Sequence, residues 1–218
     1  MSGFRFLVAI ALLCAGGCVP MQQPYDYSLF QEFEPHSILV LPPLNETVEV
    51  LADYNWLSTA TVPLAERGYY VFPVAVVDAF MKENGLPTAG EMHTVAPQRL
   101  GEVFGADAVL YVTIVDWGQK FVLLSSNTVV AARARLVDTA TATQIWNGDV
   151  RLVESSGGSG DLLADLVGAI VEQILDSKGD RAHAVAGRAN AAWFWNNARG
   201  LPPGHRSPSY ADGLQPTP

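Results

Sequence analysis

Cysteine is almost missing from this 218-residue chain, which has only Cys14 and Cys18, both close to the amino terminus. A domain downstream of them has no thiol for a disulfide, a redox couple or a thiolate metal site, so its core must hold together unaided. Basic residues are also scarce: 13 Lys and Arg stand against 22 Asp and Glu, for a net charge of −9. Such a surface repels phosphate, which excludes nucleic acid as a partner and offers no basic patch to anionic lipid. Histidine is limited to His36, His93, His183 and His205, none spaced from another as on a zinc-binding helix. They read as surface or hydrogen-bonded residues.

What the amino terminus does contain is a targeting segment. Arg5 lies in a short polar start, and Phe6 to Leu13 form an apolar run of about eight residues, the length of a signal-peptide core. Spanning a bilayer takes roughly twenty apolar residues, so this run cannot. Ala15, Gly16 and Gly17 lead into Cys18 in a pattern that resembles the lipobox of bacterial lipoproteins, whereas bulky Leu13 disqualifies Cys14. Residues 1–17 are therefore expected to be a cleaved signal peptide and Cys18 the acylated first residue. Each buried methylene contributes about 0.8 kcal/mol, so two or three acyl chains anchor firmly where one does not. Val19, in place of an aspartate, matches Gram-negative sorting to the outer membrane, with the protein facing the periplasm. The competing readings are an ordinary secretory signal with a chance cysteine, or a buried Cys18 in a retained strand.

The remaining roughly 200 residues suit one domain with tails. Residues 18–35 read as a lipidated tether, with Pro24 and Pro35 but also Tyr25, Tyr27, Phe30 and Phe33. These aromatics either pack back onto the domain or form a docking segment. Residues 36–199 carry a single α/β domain, and residues 200–218 form a Pro-rich tail expected to be disordered. Within the domain, Ser37 to Leu41 read as a buried strand ended by Pro42 and Pro43. Helices are predicted over Tyr54 to Arg67, with Gly68 as its stop, over Pro73 to Glu83, and over Ala96 to Phe104. A short strand, Tyr69 to Phe72, intervenes. From Ala108 the pattern turns extended, and strands at Ala108 to Val115, Val130 to Val137 and Gln144 to Glu154 make a meander. Arg133 and Arg135 alternate with Ala132, Ala134 and Leu136, as on a sheet with one wet face. Asp161 to Asp176 read as a strongly amphipathic helix, and Arg181 to Ala198 as a last helix ending in Trp193, Phe194 and Trp195. The fold class is α/β, an α+β two-layer sandwich: a mixed sheet of about five strands, ending in a three-strand meander, with helices packed on it.

Three stretches carry a family resemblance: SILVLPPLNET (Ser37 to Thr47), ADYNWLSTATVPLAERGYYVFPVAVVDAFMKENGL (Ala52 to Leu86) and GADAVLYVTI (Gly105 to Ile114). They resemble the neisserial vaccine-candidate lipoprotein family, uncharacterised proteobacterial outer-membrane lipoproteins, over roughly Tyr25 to Asn197. More distantly, ILVLPP, GADAVLYVTI and ARLVDTATATQIW resemble the amino-terminal domain of TolB and the periplasmic domain of the curli-secretion lipoprotein. Those similarities imply an accessory role in envelope transport or assembly, through protein contacts. The chain departs from the curli-secretion lipoprotein in lacking an obvious amphipathic hairpin pair for a membrane barrel.

The candidates for chemistry are weak. Gly157, Gly158, Ser159 and Gly160 lie between a strand and a helix, but Asp161 and Leu162 stand where a phosphate loop needs Lys and Ser or Thr. Asp161 would also repel a phosphate there, and it replaces the second Gly of a nucleophile elbow around Ser159. Glu46, Glu49 and Asp53 form an acidic group near the end of the first strand, best read as a solvated loop. Asp138 and Trp146 read as a turn former and a sheet-face side chain. Trp193, Phe194 and Trp195 cannot all point inward from one helix, since neighbours lie about 100° apart; the exposed one is a candidate homo-oligomer contact. The expectation is a non-enzymatic lipoprotein with no cofactor, held to the membrane through acylated Cys18, binding other envelope proteins and forming a homo-oligomer. The rivals are a periplasmic small-ligand binder and a cell-envelope hydrolase.

Overall fold

The computed structural model describes residues 24–122, 125–156 and 178–210. The acylation candidate Cys18, the Gly157 to Gly160 loop and the Asp161 to Asp176 helix all lie outside them. The chain enters through helix α1 (Ser28–Phe33), followed by β1 (Ser37–Val40), β2 (Leu44–Asn45), α2 (Ala52–Glu66) and β3 (Tyr70–Val71). Helices α3 (Val74–Glu83), α4 (Ala89–Met92) and α5 (Pro97–Phe104) come next, then strands β4 (Ala108–Val122), β5 (Ser125–Asp138) and β6 (Gln144–Ser156), and finally helix α6 (Lys178–Phe194).

The six strands form one mixed sheet in the order β3-β1-β4-β5-β6, with β2 paired to β4 beyond the end of β1. Strands β1, β2, β3 and β4 run parallel, and β4-β5-β6 form the predicted antiparallel meander. Strand β1 is buried at all four positions, as a parallel strand covered on both faces must be. The meander is longer than its apolar runs suggest, because ladder pairing continues through the polar stretch Asp116 to Lys120 opposite Asn127 to Ala131. A bulge between Ile114 and Asp116 keeps Trp117 on the buried side.

The alternation of β4 and β5 sorts side chains onto two faces. Ile38, Val40, Leu110, Val112, Ile114, Ala132, Leu136 and Trp146 turn to one side, where α2 and α6 cover them with Trp56, Leu64, Val185, Ala189 and Phe194. Burying such a side chain contributes roughly 1.5–3 kcal/mol. Leu39, Leu41, Val109 and Val137 face the other way onto Val77, Met81, Met92 and Leu100 of α3, α4 and α5. The predicted pair of layers thus becomes three over this end of the sheet. Further along, the same face carries Thr113, Arg133 and Arg135 with no helix above them among the described residues.

Predicted helix boundaries hold where the caps are explicit. Gly68 follows the α2 C-cap at φ 102°, a conformation that excludes a side chain without strain. Pro63 sits inside α2 without interrupting it. Helix α4 was not foreseen, although Thr88 and Glu91 form a reciprocal capping box at its start. Asp107 clamps the start of β1: its carboxylate accepts from the amides of His36 and Ser37, at 3.0 and 2.9 Å, and from the Ser37 hydroxyl at 2.9 Å.

Both ends of the described chain pack onto the domain. Phe30 is 4% exposed, and Tyr25, Tyr27 and Phe33 lie against the core. The carboxyl-terminal stretch corrects the expectation of disorder from residue 200 onward as far as Tyr210. Leu201 is fully buried. Arg67 Nε donates to Leu201 O at 2.8 Å, the Tyr69 hydroxyl donates to Pro202 O at 2.6 Å, and Gly204 N donates to Arg67 O at 2.8 Å. Proline there fixes an extended path whose carbonyls find donors, so composition alone was a poor guide to order.

Candidate functional site

The uncovered half of the second sheet face forms a cleft of about 900 Å³ that continues around strand β6. Cross-strand register builds its floor in rows: Tyr111, Arg135 and Asn147 share one row, and Thr113, Arg133 and Asp149 the next. Successive rows on one face lie about 7 Å apart. Helix α4 supplies a wall through its C-cap residue His93, and β2 supplies Leu44.

Charges on this face are mostly paired. Arg133 reaches Glu46 at 2.7 Å. Asp116 takes Lys120 at 2.7 Å and Arg151 at 3.2 Å. Partial burial alone would raise the Asp116 pKa, but the hydrogen bonds from Lys120 and Arg151 outweigh it and hold the carboxyl below its ordinary value. Arg135 instead lies over the Tyr111 ring, 4.2 Å from its centroid, a cation–π contact. The edge of His93 meets the same ring at 5.2 Å. His93 Nε2 lies 2.9 Å from Pro42 O, so that nitrogen carries the proton. Burial is the main cause of a lowered His93 pKa, leaving the ring neutral near pH 7.

Strand β6 forms the outer limit of the sheet. Asn147 donates its amide outward to the Tyr25 hydroxyl at 2.9 Å, and that hydroxyl donates to Asn147 Oδ1 at 2.8 Å. The two-residue period of a strand then turns the backbone groups of Asp149, Arg151 and Val153 outward as well. Among the described residues no strand pairs with them.

The other residues singled out from sequence are dispersed. His36 stacks on His205 with centroids 4.2 Å apart. No group of three or more His, Cys, Asp and Glu among the described residues is placed to hold a metal. Glu46, Glu49 and Asp53 do not converge: Glu46 turns to Arg133, while Glu49 uses its backbone carbonyl to accept from Asn45. Asp138 does form its turn, accepting from the amide and hydroxyl of Thr141 at 2.7 Å each. Trp146 is buried and donates to Arg199 O at 3.0 Å. Trp193 and Phe194 belong to the core, stacked at 5.3 Å, whereas Trp195 is 45% exposed and donates to Pro63 O at 3.0 Å. Among the described residues one serine–histidine pair occurs, Ser58 Oγ and His183 Nδ1 at 3.5 Å on exposed helix surface. Ser58 directs its hydroxyl to Asn55 O at 3.0 Å, so the histidine does not draw its proton.

The cleft residues Tyr111, His93 and Arg135 were not legible as a group. The alternation of β5 marked Arg135 as facing solvent, but nothing in the sequence placed His93 beside it.

A mixed sheet with helices on both faces, an arginine-bearing cleft and an edge strand unpaired among the described residues define a domain of the α/β class. The family described as "Putative lipoprotein GNA1162-like" matches residues 25–206, and the chain belongs to it. It is accordingly a lipid-anchored protein of the cell envelope. A relative in Neisseria meningitidis serogroup B (strain ATCC BAA-335 / MC58), "Putative lipoprotein NMB1124/NMB1162", is 43% identical over 178 residues, 81% of this chain and 83% of its own. The crystal structure of lipoprotein GNA1162 from Neisseria meningitidis aligns with a TM-score of 0.54 at 44% identity, covering 66% of this chain and all of that one. A PelC dodecamer from Paraburkholderia phytofirmans is more remote, with a TM-score of 0.43 at 14% identity over 72% of this chain and 86% of that one. Likeness at that level carries no functional argument.

Proposed function

We propose that the protein is acylated on Cys18, sorted to the outer membrane facing the periplasm, and acts there as a non-enzymatic accessory subunit of an envelope transport or surface-assembly system. It works by binding other envelope proteins. The observation that supports this reading is strand β6, a 13-residue edge whose outward amides and carbonyls have no strand partner among the described residues. Such an edge accepts an added strand from another chain, with the backbone supplying affinity and alternate side chains supplying selectivity. Trp195, exposed at the end of α6, is the proposed contact between copies of this chain.

Affinity capture from crosslinked envelopes tests the reading with three forms: wild type, Cys18→Ala and Val153→Pro. The Val153 amide points away from β5, so proline there blocks the outer edge while sparing the β5–β6 ladder. The expected result is a defined set of envelope proteins with wild type that is lost with Val153→Pro and depleted with Cys18→Ala. If Val153→Pro recovers the same set, β6 is not the docking edge. Specific recovery with none of the forms would remove the interaction reading and leave small-ligand binding in its place.

A further inference from the structure

The cleft holds a cation that has no counter-charge among the described residues. Arg133 and Arg151 are bound to Glu46 and Asp116. Arg135, exposed one row away from Arg133, has no carboxylate partner among the described residues. It lies over the Tyr111 ring and makes no hydrogen bond among the described residues, so its planar fork of N–H donors is available to two oxygens at once. Tyr111 is only 4% exposed, yet it lines the cleft, and its hydroxyl makes no hydrogen bond within the described structure. That hydroxyl opens to the cleft and is available there as a donor to a ligand. His93 fixes the far side of the ring through its contact with Pro42 and adds no charge.

We propose that this cleft binds a carboxylate-bearing ligand, with Arg135 as the bidentate partner and the Tyr111 hydroxyl as an additional donor. Asp149, diagonal to Arg135 on β6, sets the charge limit. A carboxylate brings one negative charge, whereas a phosphate dianion would bring two toward that acid and toward Glu46. The same group is presented by a small organic acid and by the free carboxyl end of a peptide. This site stands on the cleft geometry alone and does not depend on the docking role of β6.

The test is NMR of the lipidated mature protein in detergent micelles, following the Arg135 Nε–Hε and Tyr111 ring signals. The probes are N-acetylglycine, N-acetyl-trialanine and inorganic phosphate. N-acetylglycine is expected to shift both signals saturably. Arg135→Gln abolishes the response, Arg135→Lys weakens it roughly tenfold because a point charge lacks the fork, and Tyr111→Phe weakens it about fivefold. Arg206, which lies over the Tyr70 ring outside the cleft, is the internal control and stays unshifted. Tighter binding of N-acetyl-trialanine supports the proposal with a peptide end as the source, and equal binding supports it with a small acid. Absence of saturable shifts, phosphate binding as tight as N-acetylglycine, or an equal response at Arg206 would each overturn it.

Discussion

The Tyr25 hydroxyl and Asn147 hold each other by two hydrogen bonds, one to the backbone amide and one from the hydroxyl to the side-chain oxygen. A residue of the amino-terminal segment therefore caps the first outward amide of the edge strand. Tyr25→Phe keeps the ring and removes both bonds, at an expected cost of about 0.5–1.5 kcal/mol. Faster hydrogen exchange at Asn147, with core amides of β4 unchanged, is the outcome to look for; an unchanged Asn147 rate would show that the bonds do not persist in solution.

Gly148 faces α6, and a Cβ there would lie 2.7 Å from Trp193 Nε1 and 2.8 Å from Trp146 Cζ2. Both indoles are buried and cannot retreat freely. Gly148→Ala is expected to destabilise by roughly 1–3 kcal/mol through overpacking. Chemical denaturation checks the magnitude, and near-ultraviolet circular dichroism should report the displaced tryptophans.

Neighbouring residues at the end of α6 should behave oppositely. Phe194 is fully buried, and truncating it to Ala should cost about 3–5 kcal/mol. Trp195→Ala gives up one hydrogen bond to Pro63 and should cost only about 0.5–1.5 kcal/mol. If Trp195 joins copies of the chain, light scattering will show a lower assembled mass for Trp195→Ala at nearly unchanged stability. An unchanged mass removes that contact.

Burial is the leading cause of a lowered pKa at both His93 and His205. The unfolded chain therefore takes up these protons at a higher pH than the folded one. Their contribution to stability is full above the ordinary value of 6.5 and is lost as pH falls through the folded values. Melting temperature should drop on acidification below about pH 6.5, and His93→Gln should flatten the dependence. A profile identical to wild type would contradict the assignment.

Much of the fold was legible because local rules and burial agreed. Ser37 to Leu41 reads as a doubly covered strand and is one, and the stop at Gly68 follows from its backbone. The hairpin runs on beyond Val115 although Asp116, Gly118 and Lys120 lack strand propensity, because pairing to β5 overrides that local preference. The tail through Tyr210 was misread because its order comes from Arg67 and Tyr69, more than a hundred residues earlier. The cleft was missed for the same reason: Arg135, Tyr111 and His93 lie on three elements, and no spacing rule connects them.

The grip of Tyr25 on Asn147 also sets a length. If Cys18 carries the acyl chains, five residues separate the anchor from Pro24, and a fully extended stretch across them reaches at most about 20 Å. The amino-terminal end of β6 must then ride close to the lipid surface, less than one domain diameter away. On that anchoring, a partner that recruits this protein has to come to the membrane for it, because so short a leash holds the domain at the lipid surface.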